Sequence, residues 1–244
     1  ISKKEKTMDL IEKISPDYVV HAAALTNVDY CEGHPDEAAA INAEGTRNVA
    51  LGCKKVSAKM AYVSTDFVFD GKKGEYIEEN EVNPQSLYAK SKLLGELALQ
   101  EVGIDYVIGR TSVLYGWHPR NFNFVMWVIE KLEKEEEITI VTDQFNSPTL
   151  ADNLAEMLLD MRDKSGLYHT CGSERISRYD FAQKIAEVFE LDENLIKPIT
   201  SESLIQAAPR PMDSSLSVLK AQKELGVKAL NIYEGLQKMS QLKK

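Results

Sequence analysis

The chain has 244 residues, 43% of them hydrophobic, and a formal net charge of −9. That length and apolar fraction are enough to bury a large core in one domain or one and a half. The acidic balance argues against nonspecific binding to nucleic acid or an anionic membrane surface, and no apolar run is long enough for a membrane span.

In chain order, Thr7 to Ile14 has the spacing of an amphipathic helix, Tyr18 to Ala24 reads as an apolar strand, and Pro35 to Val56 carries helical periodicity. Met60 to Ser64 is the next strand. Ser86 is placed to cap a helix that Gly103 ends, and Tyr106 to Arg110 follows as a buried strand. Phe122 to Leu132 reads as a helix with an aromatic face, Ile138 to Val141 as a strand, and Leu167 to Cys171 as a short strand. A further helix begins after Ser177, with Asp180 three residues on. Strands interleaved with helices of this length predict an α/β fold, a doubly wound, Rossmann-like parallel sheet covered on both faces. The texture changes at Gly166, toward short elements and loops rich in Ser and Pro. Residues 1–165 are therefore read as the sheet domain and 166–244 as a smaller lobe.

Tyr88 and Lys92 lie four residues apart on the expected helix, in Asn83-Pro84-Gln85-Ser86-Leu87-Tyr88-Ala89-Lys90-Ser91-Lys92. Positions i and i+4 share a helix face, so a phenol and an ammonium can face one small volume. A cation beside a phenol favours the phenolate and lowers its pKa, which would bring general acid work toward neutral pH. On a solvated helix the same spacing is only an amphipathic pair. Context sharpens it, because Lys59 to Asp66 reads as a strand ending in Ser64, Thr65 and Asp66, and ligands of open parallel sheets bind beyond the carboxyl ends of strands.

This arrangement resembles the extended short-chain dehydrogenase/reductase superfamily, and within it the dTDP-4-dehydrorhamnose reductase family. The motifs that carry the resemblance are Ser64-Thr65-Asp66-Phe67-Val68-Phe69-Asp70-Gly71, Tyr88-x-x-x-Lys92-x-x-Gly95-Glu96, Arg110-Thr111-Ser112, Asn121-Phe122, Asp143-Gln144-x-x-Ser147-Pro148-Thr149 and Arg210-Pro211. Each is short, but their order is specific and spans essentially the whole chain. The resemblance implies hydride transfer from NADPH or NADH to the 4-keto group of a dTDP-linked 6-deoxysugar, converting dTDP-4-dehydrorhamnose to dTDP-rhamnose. Tyr88 would then donate the proton, Lys92 would tune it and hold the ribose, and Thr65 would orient the carbonyl. The cofactor would run along Ala22, Ala23, Ala24, Thr26, Asn42 and Val63 to Tyr88 and Lys92. Substrate contacts would come from Thr65, Asp66, Asn121, Gln144 and Arg210, the last suited to a diphosphate by its forked guanidinium. Residues 1–165 become the dinucleotide-binding part, with 117–137 contributing to the substrate cleft, and 166–244 mainly the substrate lobe.

One expected feature is missing. The Rossmann-like fold normally opens with a strand and a glycine-rich turn that holds the pyrophosphate at a helix N-terminus, and the 13 glycines here make no such turn. By the resemblance, Ile1 aligns after the second strand, so a first β-α-β unit of roughly 30 to 45 residues is absent, which reads as truncation. The chain also departs from the family at Val113, where an aromatic commonly follows Arg-Thr-Ser. That spelling resembles the noncatalytic regulatory subunit of methionine adenosyltransferase, which makes a binding protein the alternative. A nucleotide-sugar epimerase or dehydratase, sharing the Tyr/Lys pair, is another.

Cys31, Cys53 and Cys171 form no Cys-x-x-Cys pair, against a disulfide framework or a zinc site. His21, His34, His118 and His169 are too dispersed to ligate a metal, and no metal site is expected. The first residues do not read as an export signal, so the expected setting is cytoplasmic, with a nucleotide sugar and a homodimeric copy as partners and neither nucleic acid nor membrane.

Overall fold

The protein is described by a computed structural model over residues 1–119, 123–204 and 206–242. Helix α1 (Lys4–Ile14) leads into strand β1 (Tyr18–His21), then α2 (Val28–Gly33), α3 (Pro35–Ala38) and α4 (Gly45–Val56). Strand β2 (Lys59–Thr65), helix α5 (Leu87–Val102) and strand β3 (Tyr106–Thr111) repeat the pattern. Next come β4 (Leu114–Tyr115), α6 (Phe124–Glu133), β5 (Ile138–Val141), β6 (Phe145–Asn146), β7 (Thr149–Leu150) and α7 (Ala151–Asp160). The chain closes with β8 (Gly166–His169), β9 (Ile176–Ser177), α8 (Arg178–Phe189), β10 (Ile196–Ile199), α9 (Leu219–Glu224) and α10 (Ile232–Gln241).

The main sheet is parallel, in the order β1-β2-β3-β8. Alternation along each strand divides its side chains between two helical layers. Met60, Tyr62 and Ile108 pack with Val49, Cys53 and Leu99 of α4 and α5. Ala61, Val107 and Tyr168 face the opposite way, onto Leu154, Met157 and Leu158 of α7 and Ala221 of α9. Among the described residues no helix is long and apolar enough to cross a membrane.

A further core joins Val128 and Leu132 of α6, Ile138 and Ile140 of β5, Phe181 and Ile185 of α8, and Leu236 and Met239 of α10. It draws residues from both sides of position 166, and β8 returns to the main sheet beside β3. This core thus includes α6 and β5 together with elements after 166, and Gly166–His169 lies in the main sheet.

The strand expected over Tyr18 to Ala24 stops at His21. Beyond it, the Leu25 amide and carbonyl are both bound by the Asn42 carboxamide, at 2.8 and 3.0 Å, so this stretch leaves the ladder. Asn42 sits in a π-helical turn, Ala39–Glu44, that interrupts the single helix expected over Pro35 to Val56. Such wide turns are rare and expose helix groups that regular winding would hide. Gly95 of α5 packs against this turn, where a Cβ would lie 2.8 Å from the Asn42 carbonyl oxygen and 2.3 Å from the Tyr62 hydroxyl. Only glycine permits the approach.

Candidate active site

A cleft of about 830 Å³ opens at the carboxyl ends of the parallel strands. Its floor is the end of β2, where Thr65 caps a short 3₁₀ turn by accepting the Phe67 amide at 3.2 Å. Asp66 is buried, its carboxylate accepting the hydroxyls of Thr65 at 3.1 Å, Ser112 at 2.7 Å and Ser214. Burial raises its pKa, and the three hydroxyls pull it back down. These bonds tie the strand end to the segment after β3 and to the chain near residue 214.

Helix α5 supplies Tyr88 and Lys92. It begins where Ser86 accepts the Ala89 amide and ends at Gly103 in the left-handed conformation, as the sequence indicates. Tyr88 stands edge-on to Phe67, with ring centroids 6.3 Å apart. Lys92 is buried and donates to the Val63 carbonyl at 2.8 Å, with its ammonium 4.2 Å from the Tyr62 ring centre. The expected lowering of the phenol pKa by Lys92 is not found. Burial raises the Tyr88 pKa, the Asp66 charge adds to it, and the Thr65 hydroxyl alone opposes. The ammonium is committed to Val63 instead, so the phenol stays protonated at physiological pH.

Burial also pulls Lys92 down from 10.5 to about 7, against the pull of Glu96. The folded protein then binds fewer protons than the unfolded chain between about pH 7 and pH 10, so the penalty from this lysine fades as pH rises through that window. The melting temperature of the ligand-free protein is expected to climb between pH 7 and 9. Lys92→Met should flatten this climb and raise the melting temperature at pH 7; an unchanged slope would contradict the desolvation of Lys92.

Ala22, Ala24, Thr26, Val63, Thr65, Asp66, Tyr88 and Lys92 all line the cleft. Ala23 does not. Asn42 lies behind the wall, its carboxamide spent on Leu25 and on the Ser91 hydroxyl at 2.9 Å. Gln144 is nearly buried off the cleft, 3.5 Å from the Gln206 side chain. Arg210 is also off the wall, bound to the Asp29 carboxylate at 2.7 Å and to the Ala208 carbonyl at 2.9 Å. Asn121 lies outside the described residues.

The wall includes Trp117, His118 and Asn123, within the stretch 117–137 expected to contribute to the cleft but not named individually as site residues, and Arg178, which sequence reasoning did not single out. An aromatic pair directly after Gly116, at the end of a short strand, was the available signal for Trp117 and His118. Val113 lines the cleft with φ 39°, a left-handed backbone that a β-branched residue rarely adopts and that marks local strain.

A doubly wound parallel sheet with a hydroxyl, a phenol and a buried lysine gathered at its strand ends places the chain in the short-chain dehydrogenase/reductase class. The chain belongs to the dTDP-4-dehydrorhamnose reductase family: the family model described as RmlD substrate binding domain matches residues 1–243. It is 32% identical over 252 residues to the dTDP-4-dehydrorhamnose reductase of Escherichia coli strain K12, covering 98% of this chain and 83% of that protein. The crystal structure of dTDP-4-dehydrorhamnose reductase from Bacillus anthracis str. Ames in complex with NADP superposes with a TM-score of 0.93 at 33% identity, covering 98% of this chain and 85% of that one. Methionine adenosyltransferase 2 subunit beta of Bos taurus is also similar, 32% identical over 228 residues, covering 85% of this chain and 64% of that protein.

Proposed function

We propose that this protein reduces the 4-keto group of a dTDP-linked 6-deoxysugar, converting dTDP-4-dehydrorhamnose to dTDP-rhamnose with NADPH or NADH. The observation that carries the reading is the convergence of Thr65, Tyr88 and Lys92 on one cleft at the strand ends. The small side chains of Ala22 and Ala24 on the cleft wall leave room for close approach by a dinucleotide, which Val63, Tyr88 and Lys92 of the same wall would help to hold. The cofactor supplies the hydride; the protein supplies alignment and the proton. In this reading Thr65 orients the substrate carbonyl, and the Tyr88 phenol, protonated through burial, gives its proton to the oxygen as negative charge develops there. Lys92, which donates to the Val63 carbonyl in this structure, would be the residue that holds the ribose of the bound cofactor.

The test is to supply the protein with reduced nicotinamide and dTDP-4-dehydrorhamnose and follow the loss of nicotinamide absorbance. Oxidation that depends on the sugar supports the reading. A flat trace from protein that co-purifies with a methionine adenosyltransferase would favour the regulatory alternative, which the similarity to the bovine subunit and the absence of an aromatic at Val113 support. The proposal includes a cytoplasmic setting and a homodimer, for which Leu94 and Leu97, 49% and 41% exposed on the outer face of α5, offer an apolar surface.

A further inference from the structure

Helix α2 is only six residues long, yet it is tied into the molecule at both ends. Asn27 caps its start by accepting the Tyr30 amide at 3.0 Å. Within its first turn the Asp29 carboxylate takes the Ala208 amide at 3.0 Å and the Arg210 guanidinium at 2.7 Å. Near its far end Glu32, half-buried, reaches across to α5 and accepts the Leu87 amide at 3.0 Å. Leu87 is the residue directly before Tyr88. The same stretch puts Thr26 and Val28 on the cleft wall together with Tyr88.

The first four amides of a helix have no partner within it. In α5 Ser86 already meets the local need, since its hydroxyl accepts the Ala89 amide at 3.2 Å and its carbonyl the Lys90 amide at 3.0 Å. The helix is therefore started by its own sequence and does not need a carboxylate from another element in order to form. What the Glu32 bond adds is location. Tyr88 is the second residue of α5, in the turn with the fewest helical bonds of its own, and its side chain lines the cleft from there. An acceptor on a separate helix fixes that turn against the wall to which Thr26 and Val28 belong, and its negative charge suits the positive end of α5.

Proton donation depends steeply on distance, and a displacement of about 1 Å can cost ~10²-fold in rate. We infer that Glu32 is a positioning residue for the reduction: by holding the Leu87 amide it sets the distance between the Tyr88 phenol and a carbonyl bound beside Thr65. The inference rests on the reductase reading above and adds to it a residue that works through the backbone of α5.

The test is steady-state reduction of dTDP-4-dehydrorhamnose by NADPH, with a melting curve for each variant. Glu32→Ala is expected to lower kcat about 10-fold while the sugar KM stays within ~2-fold of wild type, because proton donation and not ground-state binding loses its geometry. Glu32→Gln keeps an oxygen that can accept the Leu87 amide and should return kcat to within ~3-fold of wild type. In Tyr88→Phe protein, which has no phenol proton to misplace, adding Glu32→Ala should cost less than ~2-fold more. Leu87→Pro breaks the same bond from the donor side and secures the comparison if Glu32→Ala is unstable. The first helical position accepts proline, and Ser86 before it, at φ −104° and ψ 160°, already has the extended backbone that a following proline requires. This variant should show the same loss of kcat.

Unchanged kcat in Glu32→Ala or Leu87→Pro, a loss carried by KM alone, or a further loss of about 10-fold in the Tyr88→Phe background would each overturn the inference and leave the reductase reading standing. If wild type does not oxidise NADPH when the sugar is supplied, the reductase reading falls and takes the inference with it.

Discussion

Tyr88→Phe is expected to lower turnover by at least ~10²-fold with little change in the substrate KM, because it removes only the proton donated as the alkoxide forms. The geometry makes this a test of chemistry rather than of folding. The ring keeps its edge contact with Phe67, and helix α5 keeps its Ser86 cap and its contacts through Gly95. A phenol raised by burial is protonated across the assay range, so the wild-type profile should show no alkaline limb from Tyr88 near neutrality. Steady-state rates with matched melting curves decide the matter, and near-normal turnover in the variant would remove Tyr88 from the reaction.

The largest loss of stability is expected at Glu96. Its carboxylate pairs with Arg110 through two bonds, 3.0 Å from Nε and 2.8 Å from Nη2, and also accepts the Ser64 hydroxyl. Both partners are nearly inaccessible to water. Glu96→Ala leaves the guanidinium buried with no counter-charge, which costs about 3 to 5 kcal/mol in such settings. Urea unfolding should show a much lower midpoint at an unchanged slope. Replacing Arg110 by Met in the same chain should recover part of the loss, since the second change removes the stranded charge. Failure of the double variant to recover any stability would show that the pair acts through packing alone.

Much of the architecture was legible because it rests on local rules. The period-2 and helical patterns placed most strands and helices, and the ends of α5 followed from Ser86 and Gly103, whose chemistry is confined to a few neighbours. The gathering of Thr65, Tyr88 and Lys92 was legible from a strand end and a four-residue spacing. What escaped depends on contacts distant in sequence. The π turn is invisible to periodicity, because one extra residue in a helical turn leaves the apolar pattern of Pro35 to Val56 nearly intact. The orientation of Lys92 toward the Val63 carbonyl depends on how deep α5 settles on β2, which no spacing records. Arg178 reads in sequence as an ordinary polar residue at a helix start; only the fold sets it over Phe124 on the cleft wall. Arg210 was read as a diphosphate contact, and its bond to Asp29, 181 positions away, could not be seen in the sequence.

The same long reach constrains how the molecule is made. Asp66 receives one of its hydroxyls from Ser214, 148 residues later, and Asp29 waits even longer for Arg210. A growing chain emerges from its N-terminal side, so β1, β2 and α5 can assemble while the segment that seals Asp66 is still being synthesised. Until Ser214 arrives, that carboxylate cannot be shut away from water without losing one of its three donors. The cleft floor therefore has to stay wet during synthesis, and the reactive end of the sheet becomes dry only after the main sheet is in place.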